Sequence, residues 1–398
     1  MPALHRGAKE KQFHRNTYER LLLRSTALLI LTGLIVLYAA SFYNAQDGGN
    51  ALGDVTSQLL GVAVGAAGSF VVLRIDYRLL RDRRIVGGLI LLSTVLLILV
   101  AIPGVGRYLN GSRRWLAIGP VSFQPSEIAK YSLVIYLAKA LSARDLRPFF
   151  RGLIPVFLVP GLFFLLIMLQ PNLSTAGSIL IVSALMALMA GARWLHLGAL
   201  GAAGLMVGGY YAMSADYRRD RMMSFLDPFQ YLSDEGYQLS QSLMAFGSGG
   251  LFGMGLGKGR QKYGFLPYPE SDFIFAVVGE DMGFFGCCLI LLLFAAFLYG
   301  GFRTAARCPD RFGSLLAGGI TGMIGVQTVL NVAVVTGLMP TTGLPLPFFS
   351  CGGTSVSIVM CAAALLVNIA RSGRGAVPST ENKDKEHGYK TGIQWKKP

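Results

Sequence analysis

Asp272 stands immediately before the apolar run Phe273-Ile274-Phe275-Ala276-Val277-Val278 and closes a polar stretch that opens near residue 214. A carboxylate so placed has two readings. Burial or a cationic neighbour tunes it for proton transfer, or it caps the coming helix, whose dipole favours an acid there. Ser271 competes for the same cap. Cations accompany it: Arg218, Arg219, Arg221, Lys258, Arg260 and Lys262 in the same stretch, and Arg107, Arg113 and Arg114 before another apolar run, with Lys130 just inside that run. Such groups suit an anionic partner, phosphate above all. Contact with anionic lipid is the plainer alternative. Glu127 and Lys130 are three apart and can pair on one helix face, and ionisable residues inside an apolar span point to function by default.

Further segments mix polar and rigid residues. Trp115 suits a membrane interface or the face of a sugar ring, and Gln124-Pro125-Ser126 opens the run that holds Glu127. Gln170-Pro171-Asn172-Leu173-Ser174-Thr175 is a tight turn in which Ser174 or Thr175 can cap a helix. Pro267 and Pro269 stiffen the approach to Asp272, while Glu280 and Asp281 lie about 12 Å deeper by helix rise. Residues 340–355 carry four prolines or glycines before Ser350-Cys351-Gly352-Gly353, non-helical backbone of the kind tolerated at membrane depth where it lines a cavity. Gly253-Met254-Gly255-Leu256-Gly257-Lys258-Gly259 has the look of a phosphate loop. It lacks a Ser or Thr after the lysine and follows no strand, so it is no nucleotide site.

These residues need elements to hold them. Hydrophobic residues make up 53% of the chain and charged ones 14%, with a mean hydropathy of +0.52, more apolar surface than a soluble domain can hide. Apolar blocks of about 20 residues, the bilayer-crossing length, fall at 25–43, 52–73, 85–104, 126–143, 152–169, 173–191, 194–213, 273–300, 312–338 and 350–370. They predict an all-α integral membrane protein of about ten transmembrane helices, with one large extracytoplasmic loop, residues 214–272, between the seventh and eighth. Residues 25–370 form the membrane domain; 1–24 and the polar, aperiodic 371–398 are tails, the latter expected to be disordered. The first apolar stretch outruns a signal peptide's and reads as a retained helix.

The basic residues test this topology. The N-tail, 74–84, 139–151, Arg193, 303–311 and the C-tail hold 26 of the 36 Lys and Arg. They are alternate loops, which the positive-inside rule makes cytoplasmic, both termini included. The net charge of +15 therefore follows the membrane and does not indicate nucleic acid. The cations around Asp272 and Arg113 fall on the outer face, where orientation does not require them. The five cysteines, Cys287, Cys288, Cys308, Cys351 and Cys361, lack metal-ligand spacing and read as packing residues. Gly61/Gly65, Gly204/Gly208 and Gly318/Gly322 have the spacing of close helix packing.

Gly111-Ser112-Arg113-Arg114-Trp115, Gln124-Pro125-Ser126-Glu127, Gly236-Tyr237-Gln238, Asp272-Phe273-Ile274-Phe275 and Leu346-Pro347-Phe348-Phe349-Ser350-Cys351-Gly352-Gly353, in this order, resemble the SEDS family (FtsW, RodA and SpoVE), polymerases of bacterial cell-wall glycan. The resemblance covers residues 20–371, and Gln261-Lys262 is more similar to the FtsW and SpoVE branch. It implies a multi-pass protein of the bacterial cytoplasmic membrane that polymerises lipid II at the outer face during septal wall synthesis. The acceptor's GlcNAc 4-hydroxyl attacks C1 of the donor's MurNAc, and undecaprenyl pyrophosphate leaves with inversion. By resemblance Asp272 is the base, and Arg113, Arg114, Lys130 and Lys262 contact the diphosphate. Trp115, Gln124, Glu127, Gln170, Gln261, Glu270, Ser350, Gly352 and Gly353 complete the expected substrate-binding set. A divalent cation, Mg or Mn, could assist, with no ligand set legible. The implied partners are a class B penicillin-binding protein acting as transpeptidase and other divisome proteins. Two stretches depart from the family: Leu266-Pro267-Tyr268 replaces the usual Leu-Pro-Glu, with Glu270 two positions on, and Asn172 and Ser174 replace an Asp and a Gly. Two other classes compete, a lipid II flippase and a non-catalytic division scaffold. A flippase needs polar groups continuing to the inner face, where only Glu280, Asp281, Gln327 and Asn331 hint at them.

Overall fold

The computed structural model describes residues 2–41, 51–109, 112–118, 121–146, 148–213, 224–231 and 236–372. The apolar blocks become helices because backbone in lipid must bond to itself. In chain order they are α1 (Pro2–Ser41), α2 (Ala51–Arg74), α3 (Arg83–Ala101), α4 (Pro125–Ser142), α5 (Ile154–Met168), α6 (Leu173–Met189), α7 (Trp194–Met213), α8 (Tyr237–Gly249), α9 (Ile274–Arg307), α10 (Arg311–Val335) and α11 (Gly353–Ser372). All except α8 fall on the predicted runs, but α1 starts at Pro2 and carries its helix back through residues 2–24, the stretch expected as a tail. Seven described helical segments are long and apolar enough to cross a membrane: Thr17–Ser41, Gly53–Arg74, Arg83–Ala101, Phe149–Met168, Ile274–Arg307, Arg311–Val335 and Gly353–Ser372. α6 is a shorter apolar helix, and α4 opens on the polar Ser126 and Glu127. The expectations for the C-tail beyond residue 372 and for Arg218, Arg219 and Arg221 lie outside the described residues.

Two elements add to the helical plan. A three-stranded antiparallel sheet, β1 (Gly106–Leu109), β2 (Ser112–Ile118) and β3 (Val121–Phe123), leads into α4. α8 lies within the long loop and packs on α9.

The basic loops meet at one end of the bundle. Tyr77, between α2 and α3, stacks on Phe312 at 6.4 Å, and Arg311 donates to the Ala190 carbonyl at the end of α6, 3.0 Å. Tyr18 of α1 meets Tyr299 of α9 at 6.1 Å. Asp272 and Arg114 lie at the opposite end.

α2 and α11 form an extensive helix contact through small residues. Ser357 Oγ donates to the Gly61 carbonyl, 2.7 Å. A Cβ on Gly65 would sit 2.9 Å from Ser357 Cα, and one on Gly61 would run into Gly353. Gly318 and Gly322 likewise lie against Met189 and Leu185 of α6. A Cβ on Gly204, by contrast, would meet nothing within 4 Å among the described residues, so no close helix contact forms there among them. Gly61→Leu must push α2 off α11 and is expected to cost about 1–3 kcal/mol or more by overpacking, read as a lowered Tm of the purified protein.

Candidate active site

α9 does not run straight. Gly283 has φ 67° and ψ −165°, a region open essentially to glycine alone, and it splits the helix into 274–282 and 284–307. The Gly-rich stretch after α8 repairs the broken ladder. Phe284 and Phe285 donate to the carbonyls of Gly250 and Leu251, and Met254 and Gly255 donate to those of Glu280 and Asp281, at 2.9–3.2 Å. The phosphate-loop look of 253–259 now has a physical meaning. Its amides and those of the two residues after it cradle carboxylates of the chain itself: Gly257 and Gly259 bond Asp281, and Arg260 and Gln261 bond Glu280, at 2.6–3.1 Å. Lys262 Nζ bonds both oxygens of Asp281, 2.8 and 2.7 Å, and is 3% exposed. The structure thus commits Lys262 to a buried pair about 12 Å along α9 from Asp272 by helix rise. Asp281→Ala strands a buried ammonium and is expected to cost about 3–5 kcal/mol. Lys262→Met should cost less, because two amides still serve Asp281; equal losses of Tm would refute this ranking.

The short first half of α9 presents Asp272 at its mouth. Neither Ser271 nor Asp272 caps the helix: the N-cap is Phe273, without a side-chain cap bond. The Asp272 carboxylate instead accepts from Ser271 Oγ, 3.3 Å. Its backbone is pinned, since Asn331 Nδ2 of α10 donates to the Asp272 carbonyl, 2.9 Å, and to that of Leu344, 2.7 Å. Burial lifts the Asp272 pKa to about 6, against smaller lowering effects of Ser271 and Arg114. Burial also raises Glu270 above the usual carboxylate range, aided by Asp54 and Asp272.

A β-bulge delivers Arg114. In the β1–β2 register Arg107 pairs with Trp115 and Tyr108 with Arg113, so Arg114 is the extra residue, and bulges re-aim side chains in this way. Arg113 turns to the Tyr108 ring, 5.7 Å from its centroid. Arg114 donates to the carbonyls of Gln170, 3.2 Å, and Pro171. Arg114 and Asp272 converge over Gly343: a Cβ there would lie 3.0 Å from Asp272 Oδ2 and 3.5 Å from Arg114 Nη1.

The remaining predicted residues divide between support and a second polar cluster. Ser350 Oγ donates to the Ser271 carbonyl, 2.7 Å, and Cys351 N to that of Glu270, 2.8 Å. Gln58 of α2 holds the same turn, donating to the Ser350 carbonyl and accepting from Gly352 N, 3.2 and 3.0 Å. The free face of Gly353 is filled by α2, where a Cβ would meet the Ser57 carbonyl at 2.6 Å. This glycine stretch serves packing and the posture of Asp272; it does not open Gly353 to a ligand. Glu127 and Lys130 form the expected i,i+3 pair, 2.7 Å and buried, and Ser355 donates to Glu127, 3.1 Å. Gln124 N-caps α4 without a side-chain bond, Trp115 sits half-buried in β2, and Asn172 caps α6 by accepting from Thr175 N, 3.3 Å.

Ser126 Oγ, Gln170 Oε1, Gln261 Oε1 and Asn331 Oδ1 are buried with no hydrogen-bond partner among the described residues, as groups awaiting a polar ligand or water would be. Among the described residues no three His, Cys, Asp or Glu side chains gather as a metal-binding set. Gln58 was not legible as a site residue, while Asn331 stood out only as an intramembrane polar group and Gly343 only as part of the 340–355 stretch. The Asn110-Gly111 hairpin signal between two β-prone runs would have revealed the sheet.

The fold and site define a multi-pass helical membrane protein with a tuned carboxylate facing a guanidinium at one end of the bundle. Residues 19–375 match the FtsW/RodA/SpoVE family, described as cell cycle proteins, and the chain belongs to that family. It is 42% identical to stage V sporulation protein E of Bacillus subtilis, over 89% of this chain and 97% of that protein. It is 36% identical to a probable peptidoglycan glycosyltransferase FtsW of Geobacter, over 90% and 98%. Among solved structures it superposes on a chain of a peptidoglycan synthase complex with a TM-score of 0.73 at 29% identity, covering 88% of this chain and 97% of that one. It superposes on the rod shape determining protein RodA of Thermus thermophilus with a TM-score of 0.64 at 29% identity, covering 88% and 96%.

Proposed function

We infer that this chain is a peptidoglycan glycosyltransferase that polymerises lipid II in septal wall synthesis. The observation that carries the reading is Asp272, its pKa lifted to about 6, set beside Arg114 across Gly343. A base of that pKa is ionised at neutral pH yet still able to take a proton. Asp272 removes the proton of the acceptor's 4-hydroxyl as the oxygen bonds to C1 of the donor sugar. The C1–O bond to phosphate breaks with inversion, and its electron pair leaves on undecaprenyl pyrophosphate. Arg114, with Arg113 on the same strand, stabilises that developing charge. Lys130 and Lys262 are each held by a buried carboxylate, which leaves the diphosphate role to the two arginines and gives Lys130 and Lys262 the work of holding the walls.

Asp272 faces outward in this reading and the basic loops face the cytoplasm with both termini. A class B penicillin-binding protein crosslinks the product; the resemblance to a chain of a peptidoglycan synthase complex supports such a partner. The test is purified protein with its partner and labelled lipid II, native against Asp272→Asn. Glycan chains from the native protein alone support the enzyme. Chains from neither, with lipid crossing vesicles, would carry the flippase reading instead.

A further inference from the structure

At the end of the bundle opposite Asp272, α1, α9 and α11 leave a shallow cleft open to solvent, lined by Tyr18, Arg303, Arg307, Ile369 and Ala370 among others. Arg303 and Arg307 are one helical turn apart on α9, where like charges repel. Each is held by a tyrosine. The Arg303 guanidinium lies 5.4 Å from the Tyr299 ring centroid, with Nε donating to the Tyr299 hydroxyl, 3.2 Å. Arg307 lies 4.7 Å from the Tyr18 centroid, and the two rings meet edge to face at 6.1 Å.

The neighbouring arginines are already served. Arg371 bonds Glu19 at 2.7 Å and Arg311 bonds the Ala190 carbonyl. Neither Arg303 nor Arg307 has a carboxylate within ion-pair distance among the described residues. The helix dipole favours cations at the end of α9, but it does not account for two arginines fixed by rings around one cleft. Planar guanidinium edges held in place match phosphate oxygens, and basic pockets between helices suit lipid headgroups. The buried Ile369 and the half-buried Ala370 give the cleft an apolar wall beside these charges.

We propose that the cleft between Tyr18, Arg303 and Arg307 is a phosphate-binding site, filled by the headgroup of an anionic phospholipid or by phosphate from solution. It lies far from Asp272 and needs no part of the glycosyltransferase reading. The test is native mass spectrometry of the full-length protein with added phosphatidylglycerol, repeated with inorganic phosphate as competitor. One phosphatidylglycerol should bind the native protein, and Arg303→Ala with Arg307→Ala should weaken it at least tenfold. Arg83→Ala with Arg84→Ala, basic residues elsewhere at this end, should leave it unchanged. If the alanine pair does not fold, Arg303→Gln with Arg307→Gln keeps the side-chain stems and should show the same loss. Displacement by inorganic phosphate supports the site and assigns it to free phosphate; persistence against phosphate supports it and assigns it to the lipid. Equal binding of both ligands by native and double variants would overturn the proposal.

Discussion

Asp272→Asn is expected to cut glycan synthesis by orders of magnitude while making the protein more stable at pH 7.5. The two effects share one cause. Burial disfavours the ionised carboxylate, so its folded pKa stands at about 6 against an ordinary 3.8. The folded state therefore holds this proton more tightly than the unfolded chain. The stability this preference gives is fully present below the unfolded pKa, is lost as pH rises from 3.8 towards 6, and is gone above that. Asn carries no charge to bury, so it should gain roughly 1–3 kcal/mol above pH 6 and nothing at pH 4. Activity runs the other way. The base works ionised, so native turnover should fall about tenfold per pH unit below 6 and level off above it. The Asn variant should lose a factor of about 10² to 10⁴ and show no such limb. Melting curves at pH 4 and 7.5, set beside lipid II polymerisation across pH 5 to 8, test both halves. A stable, fully active Asn variant would end the assignment of Asp272 as base.

The legible and illegible parts of this protein differ in physical kind. Helix positions follow from blocks of apolar residues, a local property, and the runs at 194–213 and 312–338 return as α7 and α10. Asp272 stood out because a carboxylate at the mouth of an apolar run, in a chain with few acids, calls for either a cap or a chemical role. What stayed hidden depends on contacts between distant segments. Lys262 and Arg114 look alike in sequence, yet Lys262 is turned inward by Asp281 and Arg114 is turned towards Asp272 by one extra residue in a strand. Glu280 and Asp281 were legible as intramembrane acids, but not as the socket of the glycine loop, because a break at Gly283 had to free the backbone first. Gln58 acts across nearly three hundred residues of chain, and no periodicity reports that.

Gly343 carries the second large effect, and the expected result is graded. Its backbone is not in the left-handed region, so a side chain there meets no conformational penalty and space alone decides. A first carbon would lie 3.0 Å from Asp272 Oδ2 and 3.5 Å from Arg114 Nη1. Gly343→Ala needs a shift of a few tenths of an ångström from a carboxylate held by one weak bond to Ser271, and should keep most of its activity. Gly343→Val adds two methyl groups between base and guanidinium and must part them. A displacement of about 1 Å at a reacting centre costs on the order of 10² in rate, so the valine variant should lose at least that in kcat/KM with its Tm little changed. The pH profile separates this account from simple blockage. With Arg114 moved away and methyl groups drying the carboxylate, both influences raise the Asp272 pKa, so the acid limb of the residual activity should move above pH 6. A limb left at its native position, with only KM increased, would mean that the valine side chain obstructs the substrate without touching the pair.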